Sequence, residues 1–251
     1  MQRLGISEDR VRTQIQLFRN PLIFARLRRP CTLGDGIQQM STDALAHYMH
    51  LHEEAAGEGR FTKFVPASGA ASRMFKLLFE IYGERNLSSM KEFRDRADGG
   101  DRKAKDFLCF CDGIRRLAFF DDLKSILDRK GLSVDDLLDQ ERWQEILEYL
   151  LTEQGLNYGA LPKGLLKFHR YPAGNRTALE EHLVEAVHTV RDRKGICRIH
   201  LTVSPEHEGL FRLYFEKIRS GYERQFQCLF EVTISIQTHS TDTIAVDLED
   251  R

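Results

Sequence analysis

Apolar positions along the chain change period several times, and each change marks an element. Ser7 followed by Glu8 and Asp9 predicts a helix start; Val11, Ile15 and Phe18 follow at one-face spacing, and Asn20-Pro21 stops the run. Leu45, Tyr48, Met49 and His52 predict a second helix over about 43–56, with these four side chains on one side and Gly57 at its end. At Phe61 the period shortens. Residues 61–67 read as a strand that runs into Ser68-Gly69-Ala70-Ala71-Ser72, after which Met74, Leu77, Leu78 and Ile81 repeat as an amphipathic helix. The unit is strand, small-residue loop, helix.

From about Glu84 to Tyr158 the pattern is helical throughout, with apolar series at Phe107, Leu108, Cys111 and Ile114, at Leu123, Ile126 and Leu127, and at Trp143, Ile146, Leu147 and Leu150. Strand and helix then alternate again. Residues 164–168 read as a short strand, and Thr177-Ala-Leu-Glu180 as a capping box opening a helix. Cys197, Ile199, Leu201 and Val203 alternate in a strand over 196–203. Ser204-Pro205 starts a further helix, and Phe226 to Ile236 alternate in the longest strand signal, over 226–237. The pattern predicts an α/β fold whose four strands form one mostly parallel sheet flanked by helices, the strands 61–67 and 196–203 being parallel. An N-terminal helical segment spans 1–60, and a large helical insertion, 85–158, interrupts the α/β core of 61–251.

Composition narrows the function classes. Thirty-seven Lys and Arg nearly cancel 38 Asp and Glu, which speaks against a surface built to grip nucleic acid while leaving room for a local basic pocket. The five cysteines, at 31, 109, 111, 197 and 228, contain no Cys-x-x-Cys pair and form neither a disulfide framework nor a structural zinc set. No apolar run has the length of a signal peptide or a membrane span, so no membrane partner and a cytoplasmic location are expected.

The loop 68–73 carries the clearest chemistry. Small residues delivered by a strand to a helix start bring backbone N–H groups together as an anion cradle, and Arg73 adds a planar fork of donors suited to phosphate. A tight turn chosen only for packing explains the same residues. Leu161-Pro162-Lys163-Gly164 places a second cation in a rigid local frame. His200, His207, Asp242 and Asp247 are weaker candidates, while His182, Glu181 and Glu185 read as a solvated helix face.

Pro66 to Met74 followed by Pro162-Lys163-Gly164 resembles the nucleotidyltransferase signature of sugar-nucleotide pyrophosphorylases, Leu-Ala-Gly-Gly-x-Gly-Thr-Arg-Met and then Pro-Lys. Phe64 to Met74 together with Ser240 to Asp247 resemble an uncharacterised bacterial family, domain of unknown function 4301, over most of the chain. The first resemblance implies a nucleotide-diphospho-sugar transferase-like fold that binds a nucleoside triphosphate and a sugar phosphate with Mg2+. By that resemblance Ser68, Gly69, Ala70, Ala71 and Ser72 would wrap the phosphates, Arg73 and Lys163 would act on the reacting phosphates, and Gln237 would read the base. Ala71 stands where the signature has a glycine. The chain also ends before the later metal-binding segment of such enzymes, so it is expected to be part of a longer protein or a relative that binds without reacting. The rival expectation is a non-enzymatic interaction domain whose helical block, 84–158, is the partner surface.

Overall fold

A computed structural model describes residues 5–20, 27–67, 69–71, 73–84 and 89–244. Its elements are α1 (Glu8–Arg19), α2 (Thr42–Gly57), β1 (Lys63–Pro66), α3 (Lys76–Tyr82), α4 (Met90–Asp98), α5 (Arg102–Gly113), α6 (Phe120–Arg129), α7 (Val134–Asp139), α8 (Trp143–Leu151), β2 (Lys167–His169), β3 (Arg176–Thr177), α9 (Ala178–Thr189), β4 (Ile196–Val203), α10 (Glu208–Phe226) and β5 (Leu229–Ile236).

β1, β4 and β5 form a parallel sheet in that spatial order, with Val65 opposite Leu201 and Cys197 opposite Phe230. Along β4 every second residue is buried. Cys197, Ile199, Leu201 and Val203 pack on Leu179, Leu183 and Ala186 of α9 and on Phe211 and Phe215 of α10. Each fully buried Leu or Phe in that layer stabilises the fold by about 1.5–3 kcal/mol relative to exposure. The opposite face of β4 is polar: Arg198 pairs with Asp192 and with Glu231 of β5, and the His200 ring meets Ser235 Oγ at 2.8 Å while stacking on Phe64. This two-sidedness is the physical origin of the alternation along 196–203.

The elements end for local reasons. The Thr177–Glu180 capping box forms in full. α10 runs further than the alternation suggests and takes in Phe226. It closes at Gln227, which adopts a left-handed backbone (φ 48°), and Arg191 donates to the carbonyls of Phe226 and Gln227. A cation on the last carbonyls of a helix offsets the negative end of its dipole. β5 therefore begins at Leu229, three residues later than expected.

One strand expectation needs correction. Residues 164–168 do not join the main sheet: Lys163–Leu165 is a 3-10 turn, and Lys167–His169 pairs antiparallel with Arg176–Thr177 in a separate two-stranded ladder. The apolar side of α2 is also uncovered. Leu45, Tyr48 and Met49 are about half exposed, and the helix buries only Ala55 and Ala56. Periodicity names a face and does not supply its partner.

Helices α3 to α8 pack around a second apolar core that includes Phe93, Phe107, Leu123, Leu127, Ile146, Leu147 and Leu150. Ser89, Asp101 and Ser133 cap α4, α5 and α7, each side-chain oxygen accepting a backbone N–H of the first turn. No described helix is long and apolar enough to cross a membrane.

Candidate functional site

The chain passes from the sheet core into the helical core, and back, through a narrow neck. Ala67 extends the β1–β4 ladder, its N–H donating to the Thr202 carbonyl at 2.8 Å, and is buried in the sheet core. Four residues later Ala71, 1% exposed, is buried in the helical core. On the return passage Leu165 packs against the sheet core, and the next residue, Leu166, is buried in the helical one. Between these anchors Ala70 bridges Pro162 antiparallel, and the Lys163 N–H donates to the Gly69 carbonyl at 3.0 Å. Pro162 contributes its fixed backbone (φ −70°, ψ 148°), which holds the chain extended and presents the next N–H to Gly69. The small-residue loop and the Pro-Lys-Gly segment, distant in sequence, are thus the two hydrogen-bonded passages of one neck.

A cleft of about 150 Å3 opens beside this neck, lined by Ala67 and Gly69 from one passage, Lys163 and Gly164 from the other, and Ala178, Leu179, His182 and Phe211 from the covering helices. It lies at the carboxyl end of β1, the end of a parallel sheet at which ligands bind in open α/β folds. Gly164 is required by packing, because a Cβ there would sit 2.7 Å from Phe211 Cζ. Gly69 differs: a Cβ on it would meet nothing within 4 Å among the described residues. Among the described residues no ion pair or side-chain hydrogen bond engages Lys163, which is half-buried, or Arg73, which is exposed.

His182 is held in a defined orientation. Its Nδ1 lies 3.2 Å from Glu185 Oε2, and the same carboxylate pairs with Lys63 of β1. The Lys63 ammonium, then the imidazole, hold the Glu185 carboxyl below its ordinary range. An ionised carboxylate only accepts, so Nδ1 carries the proton of this contact and Nε2 is the remaining ring nitrogen. Sequence reasoning assigned His182 to a solvated face.

The α9 start is itself fixed by Glu180, 9% exposed, which accepts the Thr177 N–H at 2.6 Å and the Tyr214 and Tyr222 hydroxyls at 3.2 Å. Burial, with the Glu180 charge, raises both phenols, Tyr222 to about 12.

The other expected residues are placed as follows. Ser68, Ser72 and Asp247 lie outside the described residues. Gly69 and Ala70 form the neck. Ala71 turns its methyl into the helical core, and its carbonyl accepts the Met74 N–H at 2.8 Å, so only its backbone can face a ligand. Arg73 sits in a turn before α3. That helix begins at Lys76, is seven residues long and has no side-chain cap, so the expected helix start at the loop does not form. Gln237 is exposed at the end of β5, its N–H bonded to the Val203 carbonyl, and β4 separates its strand from β1. His207 Nδ1 meets Ser204 Oγ at 2.9 Å, and His239 meets Asp242 at 3.1 Å.

Among the described residues no group of three or more His, Cys, Asp or Glu side chains has the arrangement to hold a metal ion. Comparison with curated proteins and with solved structures found no match. The family described as Domain of unknown function (DUF4301) matches residues 1–251. The strand, small-residue neck and Pro-Lys-Gly passage are therefore features of a chain that belongs to the DUF4301 family of unknown function.

Proposed function

We propose that the neck cleft binds the phosphates of a nucleoside triphosphate, in a domain related to the sugar-1-phosphate nucleotidyltransferases. The observation that carries this reading is the hydrogen-bonded pairing of Gly69-Ala70 with Pro162-Lys163 beside a cleft at the carboxyl end of a parallel strand. A buried-backbone turn explains a neck, but it does not call for a half-buried lysine that has no side-chain partner among the described residues, beside a glycine whose free side meets none of them. In this reading the Gly69 and Ala70 backbone and the Lys163 ammonium address phosphate oxygens, and Arg73 swings from its exposed turn onto the same group. The nucleotidyltransferase-like fold assignment belongs to the same proposal.

A sugar 1-phosphate oxygen would attack the α-phosphorus in line, forming the new P–O bond as the bond to pyrophosphate breaks. The protein's part is positioning and charge neutralisation. Magnesium would supply further charge neutralisation at the phosphates. Calorimetric titration with UTP, ATP and GTP, with and without magnesium, tests binding, and pyrophosphate release on adding a sugar 1-phosphate tests turnover. Saturable binding of one nucleotide per chain is expected. Absence of binding to all three would refute the proposal and favour the non-enzymatic reading.

A further inference from the structure

On the other side of the same neck, between the helical core and the β2 segment, lies a larger cavity of about 300 Å3. Its walls are almost wholly apolar. Phe75, Phe119 and Tyr158 form an aromatic corner, with Tyr158 tilted to Phe75 at 5.9 Å and edge-on to Phe119 at 5.5 Å, all three buried. Met74 and Phe168, 46% and 40% exposed, stand as lining residues open to solvent. Among the described residues Lys167 is the single charged one of the lining, and Asp122 neutralises it at 2.7 Å.

We infer that this cavity is a binding site for an uncharged aromatic ligand of about two fused or linked rings, independent of the neck cleft. Size sets the upper bound: an apolar cavity of roughly 150 Å3 holds one benzene ring, and this one has twice that volume. Charge sets the class, because a cation finds no free carboxylate in the lining and an anion finds its lysine already paired. The aromatic lining favours a flat ligand, because a planar ring can meet Phe75, Phe119 and Tyr158 in offset or edge-to-face contact. One polar handle is present. The Tyr158 hydroxyl accepts the Lys167 N–H at 3.3 Å and has no acceptor for its own proton among the described residues. Burial raises this phenol to about 12, so it keeps that proton at neutral pH and can donate it to a ligand oxygen or nitrogen.

The neutral dye N-phenyl-1-naphthylamine is the probe, titrated into the full chain while its emission is followed. Saturable binding of one dye per chain with blue-shifted emission is expected. Ala118→Leu, which adds volume at the wall, and Met74→Trp, which crowds an exposed lining position, should each weaken it at least tenfold. Far-UV circular dichroism checks that both variants are folded; Met74→Trp alters an exposed position and keeps the test alive if the buried change unfolds the chain. Leu45→Ser, on the exposed apolar side of α2, should leave the affinity unchanged. No saturable signal, or an affinity that responds to Leu45→Ser and not to Ala118→Leu or Met74→Trp, would overturn the inference.

Discussion

Replacing Glu180 by alanine tests how the cleft is built. The carboxylate binds three donors at once: the Thr177 N–H at the start of α9, and the hydroxyls of Tyr214 and Tyr222 on α10. Leu179 and His182, on the same first turns of α9, line the cleft. Hydrogen bonds to charged groups contribute about 1.5–3 kcal/mol each, but simple addition overshoots, because both tyrosines are only partly buried and recover bonds to water. Taking about 1 kcal/mol for the lost cap and about 1 kcal/mol for each tyrosine gives about 3 kcal/mol of destabilisation for Glu180→Ala. Glu180→Gln retains an oxygen for Thr177 and Tyr214, and the Tyr222 hydroxyl can rotate to accept from the new amide, so about 1 kcal/mol is expected. Urea unfolding followed by far-UV circular dichroism measures both. An alanine variant within 1 kcal/mol of the parent, or a glutamine variant as damaging as the alanine one, would refute this account of the α9–α10 junction.

Gly164→Ala drives a methyl into the buried Phe211 ring and should lower stability by about 1–3 kcal/mol, the usual cost of overpacking; an unchanged melting temperature would contradict it. Burial by itself would raise the Asp192 carboxyl, but the Ile196 N–H, the Arg198 guanidinium and the Lys194 N–H outweigh it and hold it below the ordinary range. A carboxyl that is more acidic in the folded state stabilises fully above its unfolded value, about 4, and loses that contribution as pH falls through its folded value. The stability gap between the parent and Asp192→Asn should therefore be larger at pH 7 than at pH 3, as urea midpoints at the two pH values will show. Of the five thiols, Cys31 and Cys109 are exposed, whereas burial raises Cys197 to about 12 and shifts Cys111 and Cys228 the same way. A disulfide reagent should titrate two thiols rapidly in the native protein and all five in denaturant.

The elements legible in the sequence were those with their own local physics. Ser7 and Thr177 cap helices because a side-chain oxygen satisfies an N–H three residues away, a relation confined to one turn. The strand 196–203 showed because its two faces meet different surroundings. What depended on distant partners did not show. Nothing in Leu45, Tyr48 and Met49 says whether another element covers them. Residues 164–168 look like a strand, yet the Lys163 N–H is drawn to Gly69 and turns the chain away from the sheet. The candidate site was legible as two segments, the loop at 68–73 and Lys163. The neck that joins them arises from Ala67 and Ala71, and Leu165 and Leu166, anchoring in different cores. His182 and Phe211 join the cleft through tertiary packing alone, and the α3 start moved to Lys76 because the Ala71 carbonyl turns the chain first.

Calorimetric titration of UTP into the parent protein and Lys163→Ala is the most direct test of the neck cleft. The Lys163 side chain has no partner among the described residues, so its removal should leave the melting temperature unchanged. If its ammonium meets phosphate, affinity should fall by about 1.5–3 kcal/mol, roughly 10- to 150-fold. Arg73→Ala should weaken binding as well, and the double variant should lose less than the sum, because both cations address the same phosphates. Unchanged UTP affinity in a folded Lys163→Ala protein would contradict the account.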